Sequence, residues 1–459
     1  MNNLTDTDTT LELLKKFDVA VPRYTSYPTV PFWDFNTIND ELWLNSLVNA
    51  FKEESNRLCI YIHLPYCESL CTFCACNKRI TKKHDVEGPY IEALLKEWTM
   101  YLKEFDSIPI VQEIHLGGGT PTFFTPRNLE RLINGIMKNA KRAEDHEFSI
   151  EVHPNYTKEE HLKVLSNLGF NRISMGVQDF EPKVQFAINR IQSFETTKKV
   201  SDWANKYGFR STNIDLVYGL PHQRNESIEY SINKINELNP GRIAFYSYAH
   251  VPWKSKGQRG YTEADLPASD EKLRMYQLGR SMLEKIGYLP IGMDHFSLPD
   301  DPLFNVKLQG RLHRNFMGYT TTNSRVILGL GASSISDSGK AYVQNEKTVE
   351  DYIEKIDQGK FPLINGHLLS NEDLQIKSMI LDLMCRDKLK LDTAKLPIGL
   401  REKVIDQFRS FEDDGLLKLN QQDVTVEEMG KLFIRNVCST LDAYLWRNPT
   451  GENRFSKAV

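Results

Sequence analysis

The sequence holds no apolar run approaching the roughly 20 residues that cross a bilayer. Its opening segment, MNNLTDTDTTLELLKKFDVA, is polar and acidic before Leu11. It carries neither the basic start and apolar core of a secretory signal nor the pattern of a transit peptide. An excess of one charge is also lacking: 57 Lys and Arg against 61 Asp and Glu leave a net charge of −4. That balance argues against broad binding to nucleic acid or to a membrane surface. No internal repeat and no low-complexity linker appears. Cysteine is scarce, with seven in 459 residues, and the expected cytoplasmic setting keeps thiols reduced, which disfavours a disulfide framework. What remains is an ordinary globular composition, 40% hydrophobic and 26% charged, able to bury a sizeable core in one large domain with appendages or in two to three domains.

From residue 58 onward, short β-rich runs alternate with amphipathic stretches. The strands expected are 58–63, 111–116, 148–152, 172–177, 212–217 and 242–246; the helices are 90–105, 127–139, 158–168, 194–207, 227–238 and 270–286. This alternation implies parallel strands with helical crossovers. Six units in a row predict an α/β fold, a partial (β/α)6 TIM-like barrel, whose working residues sit at the C-terminal ends of the strands. Those ends present a cysteine cluster, Gly117-Gly118-Gly119-Thr120-Pro121, Glu151, Gln178-Asp179, Asp215 and Tyr248-Ala249-His250. One rim carrying thiol, glycine, carboxylate and amide groups reads as an active site. Residues 1–55 form an N-terminal extension, 56–365 the barrel, and 366–459 a smaller helical, winged-helix-like domain. In the last, helices at 371–385 and 400–412 precede a hairpin of 415–419 and 424–426 and a helix over 427–446. Acidic and basic residues are nearly balanced there, so a docking or lid role is expected over DNA binding.

Four of the seven cysteines fall in LPYCESLCTFCACN, spaced Cys67-x3-Cys71-x2-Cys74-x-Cys76. Structural zinc sites pair two knuckles across a longer loop, and no second knuckle lies nearby. Short loops of this density hold iron–sulfur clusters through thiolates. Three thiolates on a four-iron cube leave one iron open to a small ligand, whereas a fourth would close the cluster for electron transfer alone. Cys74 and Cys76 are too close in sequence to reach two corners easily while Cys67 and Cys71 hold others, which favours three ligands. Cys59, Cys385 and Cys438 read as buried core thiols, and His63 and His115 as hydrogen-bonded structural histidines.

The Cys-x3-Cys-x2-Cys spacing after a first barrel strand, with a glycine triplet after the second, resembles the radical S-adenosylmethionine (SAM) enzymes. PRYTSYPT, YIHLPYCESLCTFCACNK, HLGGGTPTF, SIEVHP, SMGVQDF, TNIDLVYGLP, YAHVP, GMDHF, LHRNFMGYTT and FIRNVCS extend the likeness to the oxygen-independent coproporphyrinogen III dehydrogenase family. His153 departs from it, since an acidic residue is expected there.

The resemblance implies a [4Fe-4S] cluster on Cys67, Cys71 and Cys74, and two SAM molecules. Tyr61, Gly118, Glu151 and Ile335 would hold the cluster-bound molecule. Phe73, Gly119, Thr120, Gln178, Arg190, Asp215 and Ala249 would surround the second. Tyr61 and Cys76 are placed in the catalytic machinery. Arg23, His313 and Arg314 are the expected substrate-binding cations. The implied chemistry is reductive cleavage of SAM to methionine and a 5′-deoxyadenosyl radical. Hydrogen abstraction from two propionates of coproporphyrinogen III then yields the vinyl groups of protoporphyrinogen IX. The implied partners are that substrate and a reducing donor such as a flavodoxin or ferredoxin; the chain is expected to be monomeric, with no nucleic-acid or membrane partner. The rival readings are a haem chaperone or another tetrapyrrole-modifying radical SAM protein, a closed-cluster electron-transfer protein, and a winged-helix redox regulator.

Overall fold

The computed structural model describes residues 7–253, 255–392, 396–448 and 455. Six strands form its centre: β1 (Arg57–Leu64), β2 (Ile110–Gly118), β3 (Lys141–Val152), β4 (Phe170–Gln178), β5 (Ser211–Tyr218) and β6 (Arg242–Ser247). They are parallel and stand side by side in chain order. The crossovers run through helices α1 (Glu87–Glu104), α2 (Pro126–Met137), α3 (Glu159–Asn167), α4 (Phe194–Lys206) and α5 (Asn225–Leu238), and α6 (Ser269–Lys285) follows β6. Consecutive order with crossovers of one hand puts the helices on one face of the sheet, the arrangement that curls into a barrel.

Alternation along each strand divides the residues between two environments. One set packs with the helices in the main core: Leu58, Ile60 and Ile62 of β1, Ile114 and Leu116 of β2, Ile173 and Met175 of β4, and Ile243 and Phe245 of β6. In α1, Tyr90, Leu94, Trp98 and Tyr101 recur at helical spacing and are fully or almost fully buried against it. The other set is largely polar and finds polar partners both within the six strands and beyond them. Arg172 donates to Glu147 at 2.7 Å, Arg242 to Asp301 at 2.7 Å, and the Thr320 hydroxyl to Glu113 at 2.7 Å. The polar face leads up to the C-terminal strand ends.

The sheet is wider than the six strands expected. At one edge, β7 (Leu289–Gly292) and β8 (His295–Ser297) form an antiparallel pair, and β8 joins β6 antiparallel, which leaves β7 outermost. At the other, β9 (Ile327–Leu330) pairs parallel to β1 and is followed by antiparallel β10 (Ile335–Asp337), β11 (Ala341–Asn345) and β12 (Leu363–Leu368). These strands are three to six residues long, too short for alternation to mark them in sequence.

A second core joins the two ends of the chain. Leu13, Phe17, Tyr24 and Tyr27 pack with α7 (Asn371–Arg386) and α8 (Ile398–Asp413) through residues such as Ile380, Leu383, Phe408 and Phe411. Cys385 and Cys438 lie in this core, and Cys59 is buried inside β1. Arg435 Nε donates to Pro22 O at 3.1 Å, and Tyr24 OH to Asp442 at 3.1 Å, so the PRYTSYP strap is pinned to the C-terminal segment. A three-stranded antiparallel sheet of Lys388–Lys390, Asp423–Val426 and Leu417–Asn420 forms the wing. The single helix expected over 427–446 is instead three short ones, Glu428–Leu432, Ile434–Ser439 and Ala443–Arg447. Phe433 leaves helical geometry at φ −106°, and the Asp442 carboxylate restarts the chain by capping the amides of Tyr444 and Leu445.

Candidate active site

A cavity of about 300 Å³ opens where β1 to β6 end, within the range of small-molecule sites. Cys67, Cys71, Cys74 and Cys76 line it together with Phe73, Gly118, Gly119, Thr120, Glu151, Gln178, Arg190 and Asp215. Residues spread over some 150 positions of chain are thus gathered on one rim. Tyr61, Ala249 and Ile335 stand outside its wall. Tyr61 lies within β1, its hydroxyl 3.0 Å from His63 Nδ1 and its ring stacked on His115. Ala249 connects to Phe73 through Gln258, whose amide donates to both carbonyls at 3.3 and 2.7 Å. Ile335 is half-buried at the start of β10.

The cysteine loop is held from several sides. Thr120 Oγ1 donates to Cys67 Sγ at 3.3 Å, and Arg190 Nη1 to Cys71 Sγ at 3.5 Å. Lys78 Nζ reaches the carbonyls of Cys74 and Cys76 at 2.9 and 3.3 Å. Ser255 Oγ donates to Cys74 O at 3.0 Å. The Cys74 thiol is lowered, first by hydrogen bonding from Cys76 and then by the charges of Lys78 and Arg190 against the cost of burial; the Cys76 thiol is correspondingly raised. Among the described residues no three His, Cys, Asp or Glu side chains converge on one point as a single-ion site requires. A cube needs one thiolate at each of three corners, so the donor set of this loop fits a cluster better than a lone zinc ion.

The glycines serve packing as well as access. A Cβ on Gly118, at φ +113°, would lie 2.6 Å from the His63 ring, and one on Gly119 would lie 2.6 Å from Pro65 O. The triplet is therefore small because β2 presses on the end of β1, while the Gly118 N–H donates to Glu151 Oε2 at 3.3 Å. A Cβ on Gly176 would strike the Gln178 amide at 2.7 Å and the Arg190 guanidinium at 2.9 Å, so this glycine makes room for both.

Two carboxylates face the cavity with different electrostatics. Burial raises the Glu151 carboxyl, but the His115 Nε2 contact at 3.2 Å, the imidazole charge and the Gly118 N–H outweigh it and leave the group lowered. Asp215 is pushed up to about 6, mainly by burial and then by Glu151, against the Asn213 amide that donates to it at 2.8 Å. Arg190 Nη2 donates to Gly176 O, and its buried Nε lacks a hydrogen-bond partner among the described residues, a donor that a carboxylate-bearing ligand would satisfy.

Sequence reasoning left out Lys78, Ser174, Tyr156 and Tyr246, which also line the cavity; nothing in their local spacing singles them out. His153 is on the wall too, lowered to about 2 by burial and by Arg190, hence neutral, and it accepts from the Asn155 amide. His63 and His115 are fully hydrogen-bonded, His63 Nε2 to Asn77 O at 2.9 Å and His115 Nδ1 to Ser149 Oγ at 2.7 Å.

Arg23, His313 and Arg314 are not brought into this cavity. Arg23 is paired with Asp294 in a crevice of about 30 Å³ between the barrel and the C-terminal segment. Its guanidinium lies 5.8 Å from the ring of Tyr246, which is itself on the cavity wall. His313 and Arg314 line a separate space of about 20 Å³, with Arg314 over the Tyr319 ring.

Comparison with known proteins agrees with this geometry. Residues 61–235 match the radical SAM superfamily. The oxygen-independent coproporphyrinogen III oxidase of Synechocystis is 38% identical over 98% of this chain and 97% of its own length. That of Escherichia coli is 37% identical over 98% and 99%. A solved structure of coproporphyrinogen III oxidase from Escherichia coli, described as a radical SAM enzyme, superposes with a TM-score of 0.87 at 35% identity, covering 95% of this chain and 99% of that one. Barrel, cysteine loop and glycine turn are those of a radical SAM protein. Within that class the chain belongs to the oxygen-independent coproporphyrinogen III oxidase family.

Proposed function

We propose that this protein oxidatively decarboxylates two propionate side chains of coproporphyrinogen III to vinyl groups, giving protoporphyrinogen IX without oxygen. The observation that carries the reading is the gathering of Cys67, Cys71 and Cys74 with Glu151, Arg190 and Asp215 around one cavity, in a chain related over its whole length to oxidases of that name. A [4Fe-4S] cluster with SAM, when bound, supplies a carbon radical able to remove a hydrogen atom from an unactivated C–H bond.

Cys67, Cys71 and Cys74 would hold the cluster, and Cys76, exposed beside them, would remain off it for a catalytic part with Tyr61. Tyr61, Gly118, Glu151 and Ile335 would orient the cluster-bound SAM; the lowered carboxyl of Glu151 suits an amine or ribose hydroxyls. Phe73, Gly119, Thr120, Gln178, Arg190, Asp215 and Ala249 would surround a second SAM, with Arg190 facing its carboxylate. Phe73 also packs into the apolar cluster of Val184, Ile188 and Tyr248, which keeps water from that side. Arg23, together with Arg314 and His313, the last lowered to about 4 by burial and so a neutral donor, would receive propionates; the 5.8 Å between the Arg23 guanidinium and the Tyr246 ring supports this role for Arg23.

The segments 1–55, 56–365 and 366–459 would act as strap, barrel and cover over one end of the barrel. A one-electron donor such as a flavodoxin or ferredoxin, a cytoplasmic location, a monomeric state and the lack of nucleic-acid or membrane partners belong to the same proposal; among the described residues no helix is long and apolar enough to cross a membrane. The test is anaerobic: reduced protein, SAM and coproporphyrinogen III should give 5′-deoxyadenosine and, after oxidation, protoporphyrin fluorescence. 5′-Deoxyadenosine without protoporphyrin would reject the substrate while leaving the class intact.

A further inference from the structure

In a chain of net charge −4, residues 69–84 (SLCTFCACNKRITKKH) contain no acidic residue and four cations, Lys78, Arg79, Lys82 and Lys83. The structure puts this local excess at the surface, directly against the cysteine loop. The short strand Arg79–Ile80 runs parallel to Tyr66–Cys67, with Ile80 in register with Cys67. The Thr81 N–H donates to Cys67 O at 2.9 Å and the Arg79 N–H to Pro65 O at 2.7 Å. Arg79, Lys82 and Lys83 are exposed, and the apolar Ile80 among them is 42% exposed. Asn77 Nδ2 donates to Lys347 O at 2.7 Å, which adds a further exposed cation from another part of the chain. Acidic residues border the run, with Glu68 before it, the exposed Asp85 after it and Glu346, paired with Lys355 at 2.7 Å, next to Lys347. Glu350 makes a surface pair with Arg79 in which both side chains are more than half exposed, an interaction of small strength. Two hydrogen bonds therefore connect a basic, partly apolar surface to the backbone around a cysteine that lines the cavity.

We propose that the face formed by Arg79, Ile80, Lys82, Lys83 and Lys347 is the docking surface for a small acidic protein that carries one electron. The inference rests on the proposed function, which needs a reduced cluster on Cys67, Cys71 and Cys74. The step is one of electron transfer alone: the carrier is oxidised by one electron and the cluster reduced by one, with no bond made or broken. Opposite charges steer the encounter and hold the partner with its redox centre near Cys67, while Ile80 offers the apolar centre that a transient interface needs.

The experiment uses the reconstituted holoenzyme, its K82E/K83E variant and, independently, K347E, with iron content and SAM binding as checks of folding. The carrier is a pre-reduced flavodoxin; photoreduced 5-deazariboflavin, small and uncharged, serves as the alternative reductant. Flavodoxin binding is followed by calorimetry and cluster reduction by stopped-flow absorbance at low and high salt. For the double variant we expect flavodoxin affinity and second-order reduction rate to fall about tenfold or more at low salt, with a flatter salt dependence, and a smaller loss in K347E. With deazariboflavin, reduction and 5′-deoxyadenosine release should stay within twofold. Unchanged flavodoxin kinetics in both variants, or equal losses with both reductants, would overturn the assignment. So would a raised KM for coproporphyrinogen III under deazariboflavin, because the patch would then serve the anionic substrate. Failure of the function itself looks different: no 5′-deoxyadenosine from the wild type with either reductant.

Discussion

Replacing His115 with Phe tests how the cavity controls its own acid. Phenylalanine keeps a ring to stack on Tyr61, where the native rings lie 5.8 Å apart at 17°. It deletes the contact from Nε2 to Glu151 Oε1 at 3.2 Å and the Nδ1 contact to Ser149. A hydrogen bond to a charged group contributes about 1.5–3 kcal/mol. Because the Glu151 side chain is 45% exposed, water screens the pair and the lower end applies, about 1.5 kcal/mol or roughly tenfold in affinity. If Glu151 orients SAM, its dissociation constant for the reconstituted protein should rise by about that factor. The sign of the pH effect follows from the same contacts. Partial desolvation at the cavity wall raises the Glu151 carboxyl, and the hydrogen bond and charge of His115 help hold it down; with the imidazole gone, the carboxyl titrates at higher pH. The acid limb of 5′-deoxyadenosine release should therefore move upward in H115F, and partly return in H115Q, which can restore one N–H. An affinity within twofold of wild type together with an unmoved acid limb would refute the reasoning.

Cys71→Ser should abolish most cluster iron, whereas Cys76→Ser should keep it, as read by iron and sulfide analysis of anaerobically reconstituted protein; equal losses would point to a four-thiolate, closed cluster. Arg190→Lys removes the fork that reaches both Cys71 Sγ and Gly176 O, so bound SAM measured by equilibrium dialysis should drop from two toward one per chain with iron content intact. Glu97 is fully buried and accepts from Tyr352 OH at 2.6 Å, Gly331 N–H at 2.8 Å and Asn345 Nδ2 at 2.6 Å. Burial, opposed by these bonds, pushes its carboxyl up to about 7. The unfolded chain thus loses this proton first as pH rises, and stability should decline between about pH 4.5 and 7 by on the order of 3 kcal/mol. Urea unfolding across that range should show the slope in the wild type and a flatter one in Glu97→Gln.

Much of the frame is legible in the sequence. The six central strands and their helices follow from runs of apolar residues alternating with helical periodicity, a local property that burial on one helix face imposes. The spacing of Cys67, Cys71 and Cys74 is likewise local, because one loop must present three thiols to one object. The glycine triplet marks a close approach, although what it approaches, the end of β1, is visible only in three dimensions. The flanking strands β7 to β12 escape detection because three to six residues carry too little pattern, and the break at Phe433 accompanies the burial of that ring in the second core, a contact that no local spacing records.

The order of residues by itself fixed the βα alternation, the thiol loop and the rim positions where chemistry collects, since each is written within a few turns of chain. Only the tertiary structure decided which groups meet. It set Glu151 against His115, opened space at Gly176 for Arg190, placed Arg23 beyond Tyr246, and turned the basic run after Cys76 outward beside Cys67. Those relations join positions far apart in the chain, and pairing across the sheet, not local propensity, determines them.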